Sequence, residues 1–271
     1  MNSFRDFEVL CNNYLLVNFK KDGLIFKLNG GSDSTAEDTE VLYNGRSLFN
    51  IEIKEESAQC GQFVLIPNDN SRSFAFSLEN KSEKNEYTEA IIRHMNSRYS
   101  DFRDAGTSGK KIAVDKKVLS SWIIEYYKNK NVEFFISKFN TRSSGQFVII
   151  PINRLGDYFD ISATYRTKRS GSRSLPKKDI SLVEAYFKSL YQFAQFITRD
   201  EKTYVWNLEY SGSPRIEIGN NKYYLNDSDA GMYEIRKLSN TENMNVIFSI
   251  KLTKEQDEND IILFKEALGI I

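Results

Sequence analysis

The chain has 271 residues, 40% of them hydrophobic and 13% aromatic, with 37 basic and 37 acidic side chains. This composition is typical of a folded, strand-rich globular protein, and four prolines are too few for long disordered linkers. One histidine and two cysteines argue against a His-rich zinc centre, a disulfide-stapled domain and His-dependent nucleophilic catalysis. The chemistry that remains is that of carboxylates and lysine.

The first half of the chain predicts helices and β-hairpins. An amphipathic helix over residues 4–19 carries Glu8, and a strand follows at 24–28. Asn44-Gly45 is the strongest short-range hairpin signal, and it joins predicted strands at 39–43 and 47–54. A second hairpin, two helices and two strands follow, at 63–67 with 73–77, at 86–98 and 115–128, and at 132–137 and 146–151. The lone His94 lies on the first of these two helices, where we expect an ordinary surface or packing role rather than a catalytic one.

The second half predicts one long helix among strands. After a strand at 158–163 come a basic loop at 165–178, an aromatic helix at 181–197, five strands and a closing helix at 257–268. The five strands are predicted at 203–210, 215–218, 222–225, 232–237 and 245–252. The pattern predicts an α/β or α+β fold with a mixed sheet flanked by helices. We expect a catalytic core in residues 1–150 and a strand-rich recognition region, separate or continuous with it, in residues 151–271.

The predicted hairpin at 39–54 carries the candidate metal site. Alternate residues of a strand share a face, so Glu52 and Lys54 point one way while Ile51 and Ile53 point the other. Mg²⁺ prefers oxygen ligands and keeps several waters, so two protein carboxylates suffice to hold it. We expect Asp38, Glu52 and the carbonyl of Ile53 to be these ligands.

Other residues complete or compete for this site. Lys54 would orient or help deprotonate the attacking water and offset the developing negative charge, and Glu8 would be an outer metal ligand or would hold a metal-bound water. Glu40, two residues after Asp38, and Asp33, in the preceding loop, remain alternatives to Asp38 as the first acid. A solvated strand face with an ordinary salt bridge is the competing interpretation of Glu52 and Lys54.

The order of these features resembles the PD-(D/E)XK nuclease superfamily, in particular type II restriction endonucleases. A helix with Glu8, then Asp38, a hairpin and Glu52-Ile53-Lys54 carry the resemblance, which covers roughly residues 4–66. Residues 58–63 are similar to the glutamine-bearing segment that follows the motif in some of these enzymes. The resemblance implies that Asp38 and Glu52 bind metal and that Lys54 is the catalytic lysine. The chain departs from the pattern at Glu37, where the motif has proline.

Three groups of polar side chains are candidate DNA contacts. Arginine and lysine bind phosphates, and arginine can also bind guanine in the major groove. The densest basic group comprises Arg166, Lys168, Arg169, Arg173, Lys177 and Lys178. Lys110 and Lys111 form a second group, and Gln59 and Gln62 a third.

These features together predict a Mg²⁺-dependent, sequence-specific endonuclease of the type II restriction class, acting on double-stranded DNA and leaving 5′-phosphates. A structure-specific or repair nuclease and a non-catalytic DNA-binding protein are the alternatives. A palindromic site favours a homodimer, because protein symmetry then mirrors site symmetry. No apolar run is long enough to span a bilayer, and we expect a cytoplasmic protein without a membrane partner.

Overall fold

A computed structural model describes residues 3–29, 38–139, 146–169, 171–208, 215–229, 231–239 and 242–271. The chain forms two compact units, Met1–Arg166 with Met244–Ile271, and Thr167–Asn243. The boundary predicted at residue 150 therefore falls within the first unit. The division of function between the two regions stays a prediction.

Strands and helices are named in chain order. The strands are β1 (Leu24–Leu28), β2 (Thr39–Tyr43), β3 (Arg46–Ile53), β4 (Ser57–Asn68), β5 (Ser73–Phe76), β6 (Lys110–Ile112), β7 (Val132–Lys138), β8 (Phe147–Pro151), β9 (Phe159–Arg169), β10 (Ser172–Ser174), β11 (Gln195–Arg199), β12 (Lys202–Trp206), β13 (Arg215–Ile218), β14 (Asn221–Asp229), β15 (Met232–Leu238) and β16 (Glu242–Leu252). The helices are α1 (Ser3–Asn18), α2 (Glu86–Ser97), α3 (Tyr99–Phe102), α4 (Lys116–Lys128), α5 (Leu155–Tyr158), α6 (Ile180–Leu190) and α7 (Glu258–Ala267). Among the described residues, none of these helices has both the length and the apolar character needed to cross a membrane.

A mixed five-stranded sheet, the first sheet, has the order β1-β2-β3-β7-β8. Its pairs are antiparallel except β3 with β7, which run parallel. The alternation of β3 explains how the sheet is covered. Ile51 and Ile53 pack with Phe7 of α1 and Phe264 of α7, whereas Glu52 and Lys54 lie on the opposite face.

A second five-stranded sheet, the outer sheet, has the order β5-β4-β16-β9-β6. One face packs with α2 and α4 in the largest core, around Phe63, Trp122 and Phe248. The register between β4 and β16 shifts by one residue beside Gly61, whose φ of 94° is in the range that favours glycine. Because of this bulge, Cys60 and Phe63 are both buried although they are three positions apart.

The second unit is built on a third sheet with the order β11-β12-β15-β14-β13, to which β10 adds by pairing with β15. The helix α6 covers its core through Val183 and Phe187. Two ion pairs lie at the sheet, with N to O distances of 2.7 Å in both: Lys237 with Asp179, and Arg236 with Glu234.

The predicted mixed α and β fold is confirmed, but four segments were wrong in detail. The predicted helix at 181–197 ends at Leu190, because its last part forms β11, in which Phe, Ile and Thr favour a strand. The predicted basic loop at 165–178 is largely strand, since β9 continues to Arg169 and β10 pairs with β15. β4 begins at Ser57, well before the strand predicted at 63–67, and β6 lies between the two predicted helices, where no strand was predicted.

Candidate active site

Glu52 and Lys54 form a buried ion pair at the end of β3. Lys54 Nζ donates a hydrogen bond to Glu52 Oε1, and Lys54 and Glu52 are only 8% and 6% exposed, respectively. The interpretation of this pair as a solvated strand face is therefore wrong. Burial lowers the pKa of Lys54, but the charges of Glu52 and Asp38 outweigh burial and hold that pKa above its ordinary value. The ammonium group consequently stays charged at neutral pH.

Asp38 lies one residue before β2, beside the end of β3. Its Oδ2 accepts a hydrogen bond from the backbone N–H of Ile53, at 2.7 Å. In an antiparallel pair the N–H and C=O of one residue face the same neighbouring strand, so the Ile53 carbonyl also faces the Asp38 side. Burial and the nearby Glu52 carboxylate raise the pKa of Asp38 to about 7. A second negative charge is therefore costly at this site.

Glu8 brings a third carboxylate from α1. The residue is buried, and burial raises its pKa, with Lys54 and Glu52 acting on it in opposite directions. The structure therefore brings together the four side chains that the sequence predicted for the site, Glu8, Asp38, Glu52 and Lys54. Their catalytic roles stay predictions.

The competing acids are separated from this cluster. Glu40 accepts a hydrogen bond from Lys27 Nζ across the β1–β2 pair, at 3.0 Å, which directs its carboxylate away from Glu52. Its pKa is lowered, chiefly by that hydrogen bond. Asp33 and Glu37 lie outside the described residues. Of the candidates for the first acid whose positions are described, Asp38 is the one beside the ion pair.

Tyr127 of α4 and Cys60 of β4 line the inner side of the ion pair, and the sequence pattern did not predict either of them as part of the site. Both are buried, and Lys54 Nζ lies 5.9 Å from the centre of the Tyr127 ring. Burial raises the pKa of Cys60 to about 12, so its thiol keeps the proton. The helical spacing of Tyr127 indicated only that it would be buried.

The oxygen donors of the site match the ligand preference of Mg²⁺. Among the described residues, no three His, Cys, Asp or Glu side chains are close enough to hold a metal ion by themselves. Mg²⁺ needs fewer protein ligands, because it keeps several of its waters. Asp38, Glu52 and the Ile53 carbonyl are hard oxygen donors, and the carboxylates outnumber the single ammonium of Lys54. A divalent cation would relieve the charge repulsion that raises the pKa of Asp38, so the residues fit the ion.

Gln59, Gln62 and Lys111 lie on the exposed face of the outer sheet, whereas Lys110 is paired with the buried Tyr165. Across the bulge at Gly61, Gln59 Nε2 donates to Gln62 Oε1 at 3.1 Å, although a regular strand would put the two residues on opposite faces. On β6 and β9, Lys111 is paired with Thr164, which shares its face with Arg166. Lys110 is exposed beside it. Lys111 and Arg166, which the sequence put in two separate groups of candidate DNA contacts, are therefore neighbours on one sheet.

The rest of the basic group lies in the second unit. Arg173, Lys177 and Lys178 are exposed, and Lys168 is half-buried on β9. The side chain of Arg169 lies outside the described part. His94 has the packing role expected for it, because its ring stands edge-on to Phe102 at 6.2 Å between centroids.

Neither the known family models nor the curated proteins match this sequence. Among solved structures, the HhaI endonuclease in complex with DNA matches with a TM-score of 0.82 and 36% identity, over 99% of this chain and 100% of that one. The chain belongs to the HhaI endonuclease family. Its fold is accordingly restriction-endonuclease-like, as predicted, and the similarity extends far beyond the segment 4–66 in which the resemblance was found.

Proposed function

We propose that this protein is a type II restriction endonuclease of the PD-(D/E)XK superfamily, which hydrolyses double-stranded DNA at a specific sequence in the presence of Mg²⁺ and leaves 5′-phosphates. The observation that carries the proposal is the buried Glu52–Lys54 pair beside Asp38, in a chain related to an endonuclease that binds DNA. Burying an ion pair costs desolvation energy that is seldom recovered as stability. A functional reason for keeping both charges is therefore the better explanation.

In this proposal Asp38, Glu52 and the Ile53 carbonyl would hold Mg²⁺, with Glu8 at a metal-bound water. When bound, the ion polarises a phosphate oxygen and lowers the pKa of a water molecule. Lys54 remains charged, so it stabilises the negative charge that develops on the phosphate and orients the attacking water. The arrangement needs no histidine.

The DNA would be held by the polar groups outside this site. Gln59, Gln62, Lys110, Lys111 and Arg166 are candidates on the outer sheet. Lys168, Arg169, Arg173, Lys177 and Lys178 are candidates on the following segment. Lysine and arginine would neutralise phosphates, while the paired glutamine amides present both a donor and an acceptor to base edges.

Digestion of a phage DNA of known sequence, with and without Mg²⁺, tests the proposal. Glu52→Gln and Lys54→Met are each expected to abolish cutting, whereas Glu40→Gln, which changes an acid outside the cluster, should leave it intact. Discrete fragments would support a restriction enzyme, and a smear would indicate a less specific nuclease. If the wild type binds DNA and does not cut it, the protein is a non-catalytic DNA-binding protein. Cutting by either site variant would contradict the assignment of that residue to the catalytic site.

The homodimer predicted from a palindromic site also remains a proposal. Sedimentation of the protein alone and on a short duplex that contains its site gives the number of chains per DNA. One chain per duplex would contradict the dimer, and the two strands would then have to be cut in successive binding events.

A further inference from the structure

Tyr127 is held rigidly at the inner side of the candidate site. It lies near the end of α4 and is only 4% exposed. Its ring stands edge-on to Phe135 of β7, at 5.0 Å between centroids, and edge-on to Tyr126, at 4.9 Å. Packing on two sides fixes the direction of its hydroxyl group.

The hydroxyl group is part of a chain of hydrogen bonds that ends at the ion pair. Burial and a hydrogen bond to Glu52 raise the pKa of Tyr127, so its phenol keeps the proton and donates to the carboxylate. Cys60 is hydrogen-bonded to Tyr127 as well. The chain therefore runs from Cys60 through Tyr127 to Glu52 and Lys54.

Tyr127 also contacts the cation of the pair. The ammonium group of Lys54 lies 5.9 Å from the ring centre, within the range of a cation–π interaction. One side chain thus interacts with both members of the pair. In the described part of the chain, the other side chain that hydrogen-bonds to Glu52 is Lys54. The direction of a carboxylate decides whether its free oxygen meets a metal ion.

We propose that Tyr127, supported by Cys60, is a positioning residue that orients Glu52 for metal binding. The inference rests on the proposed function, because it takes Glu52 to be a metal ligand. Residues that orient metal ligands are commonly worth 10- to 100-fold in metal affinity or activity. A tyrosine that only filled the core would have no such effect once its ring was kept.

Tyr127→Phe tests the proposal, because it keeps the ring and its packing and removes only the hydroxyl. We expect the dissociation constant for Mn²⁺, measured by calorimetry on the protein alone, to rise about 10-fold or more. The Mg²⁺ concentration for half-maximal DNA cleavage should rise in parallel, and high Mg²⁺ should restore the rate. Tyr126→Phe, which changes the neighbouring tyrosine stacked on Trp122, should leave both values unchanged.

Cys60→Ala serves as a second variant, in case Tyr127→Phe folds poorly. It removes the hydrogen-bond partner that holds Tyr127 on the side of Cys60, and the Mn²⁺ dissociation constant should rise in the same direction. Wild-type Mn²⁺ affinity in both variants would overturn the proposal, as would a wild-type protein that binds no Mn²⁺. A wild type that binds Mn²⁺ and cuts no DNA would remove the proposed function alone, and the Mn²⁺ measurements would still decide the role of Tyr127.

Discussion

Asp38→Asn should make the metal-free protein more stable while abolishing DNA cleavage. The substitution keeps the size of the side chain and an oxygen that can accept the Ile53 N–H hydrogen bond, but it removes the charge. In the folded protein, burial and Glu52 raise the pKa of Asp38 from 3.8 to about 7. Ionised Asp38 therefore costs folding free energy that an amide does not.

The size and sign of the effect follow from this pKa. A tenfold change in an acid dissociation constant corresponds to about 1.4 kcal/mol. The shift in the pKa of Asp38 therefore sets an upper limit of about 4 kcal/mol on the folding free energy that its ionisation costs. Asp38 is partly exposed and thus screened, and we expect about 1–3 kcal/mol. The pKa is higher in the folded state, so the stabilising protonated form is fully present below about pH 4. As the pH rises toward about 7, Asp38 of the wild type ionises and this contribution to the free energy of unfolding is lost. The uncharged amide of Asp38→Asn should avoid the loss.

Urea denaturation in EDTA between pH 4 and 8 measures this difference. The two proteins should be similar at pH 4, and the advantage of Asp38→Asn should grow until about pH 7 and then level off. Glu40→Gln is the matched control with the opposite sign. The hydrogen bond from Lys27 lowers the pKa of Glu40. The substitution should therefore lower the free energy of unfolding by up to about 1 kcal/mol at neutral pH and by little at low pH. A variant of Asp38 that is no more stable than the wild type at pH 8 would refute the reasoning.

Three further predictions concern packing, a buried network and DNA binding. Gly61→Ala should lower the free energy of unfolding by about 2–5 kcal/mol, because the added Cβ would lie 2.7 Å from Trp122 at a positive φ. Gly45 also has a positive φ but has open space around it, so Gly45→Ala should lower that free energy clearly less in the same urea titration. Asp260→Ala should lower the free energy of unfolding by about 3 kcal/mol, because it removes the buried carboxylate that accepts hydrogen bonds from Arg154 and Tyr158. A shift in the urea midpoint no larger than that of Asp157→Ala would contradict this prediction. The double variant Arg173→Gln with Lys178→Gln should reduce the slope of log DNA affinity against log salt concentration by about 2. The control Lys188→Gln should leave the slope unchanged, because Lys188 is paired with Glu184. An unchanged slope in the double variant would exclude phosphate contacts at Arg173 and Lys178.

Much of the candidate site could be predicted because its signals are local. Asn44-Gly45 determines the hairpin, and the two-residue period of β3 puts Glu52 and Lys54 on one face. The errors arose where local preference was ambiguous. The helix predicted as far as residue 197 and the basic loop at 165–178 contain residues that form strands once a partner strand is present, and partners such as β15 lie far along the chain.

The sequence by itself determined the fold class, the hairpin and the pairing of Glu52 with Lys54, because turn chemistry and side-chain alternation act over a few neighbouring residues. Only the tertiary structure decided that this pair is buried, that Asp38 and not Glu40 lies beside it, and that Tyr127 and Cys60 line it. Burial and contacts of this kind join α1, β3, β4 and α4, whose residues are separated by long stretches of chain. Which carboxylate is desolvated and which is neutralised by a lysine depends on that packing, and no local pattern encodes it.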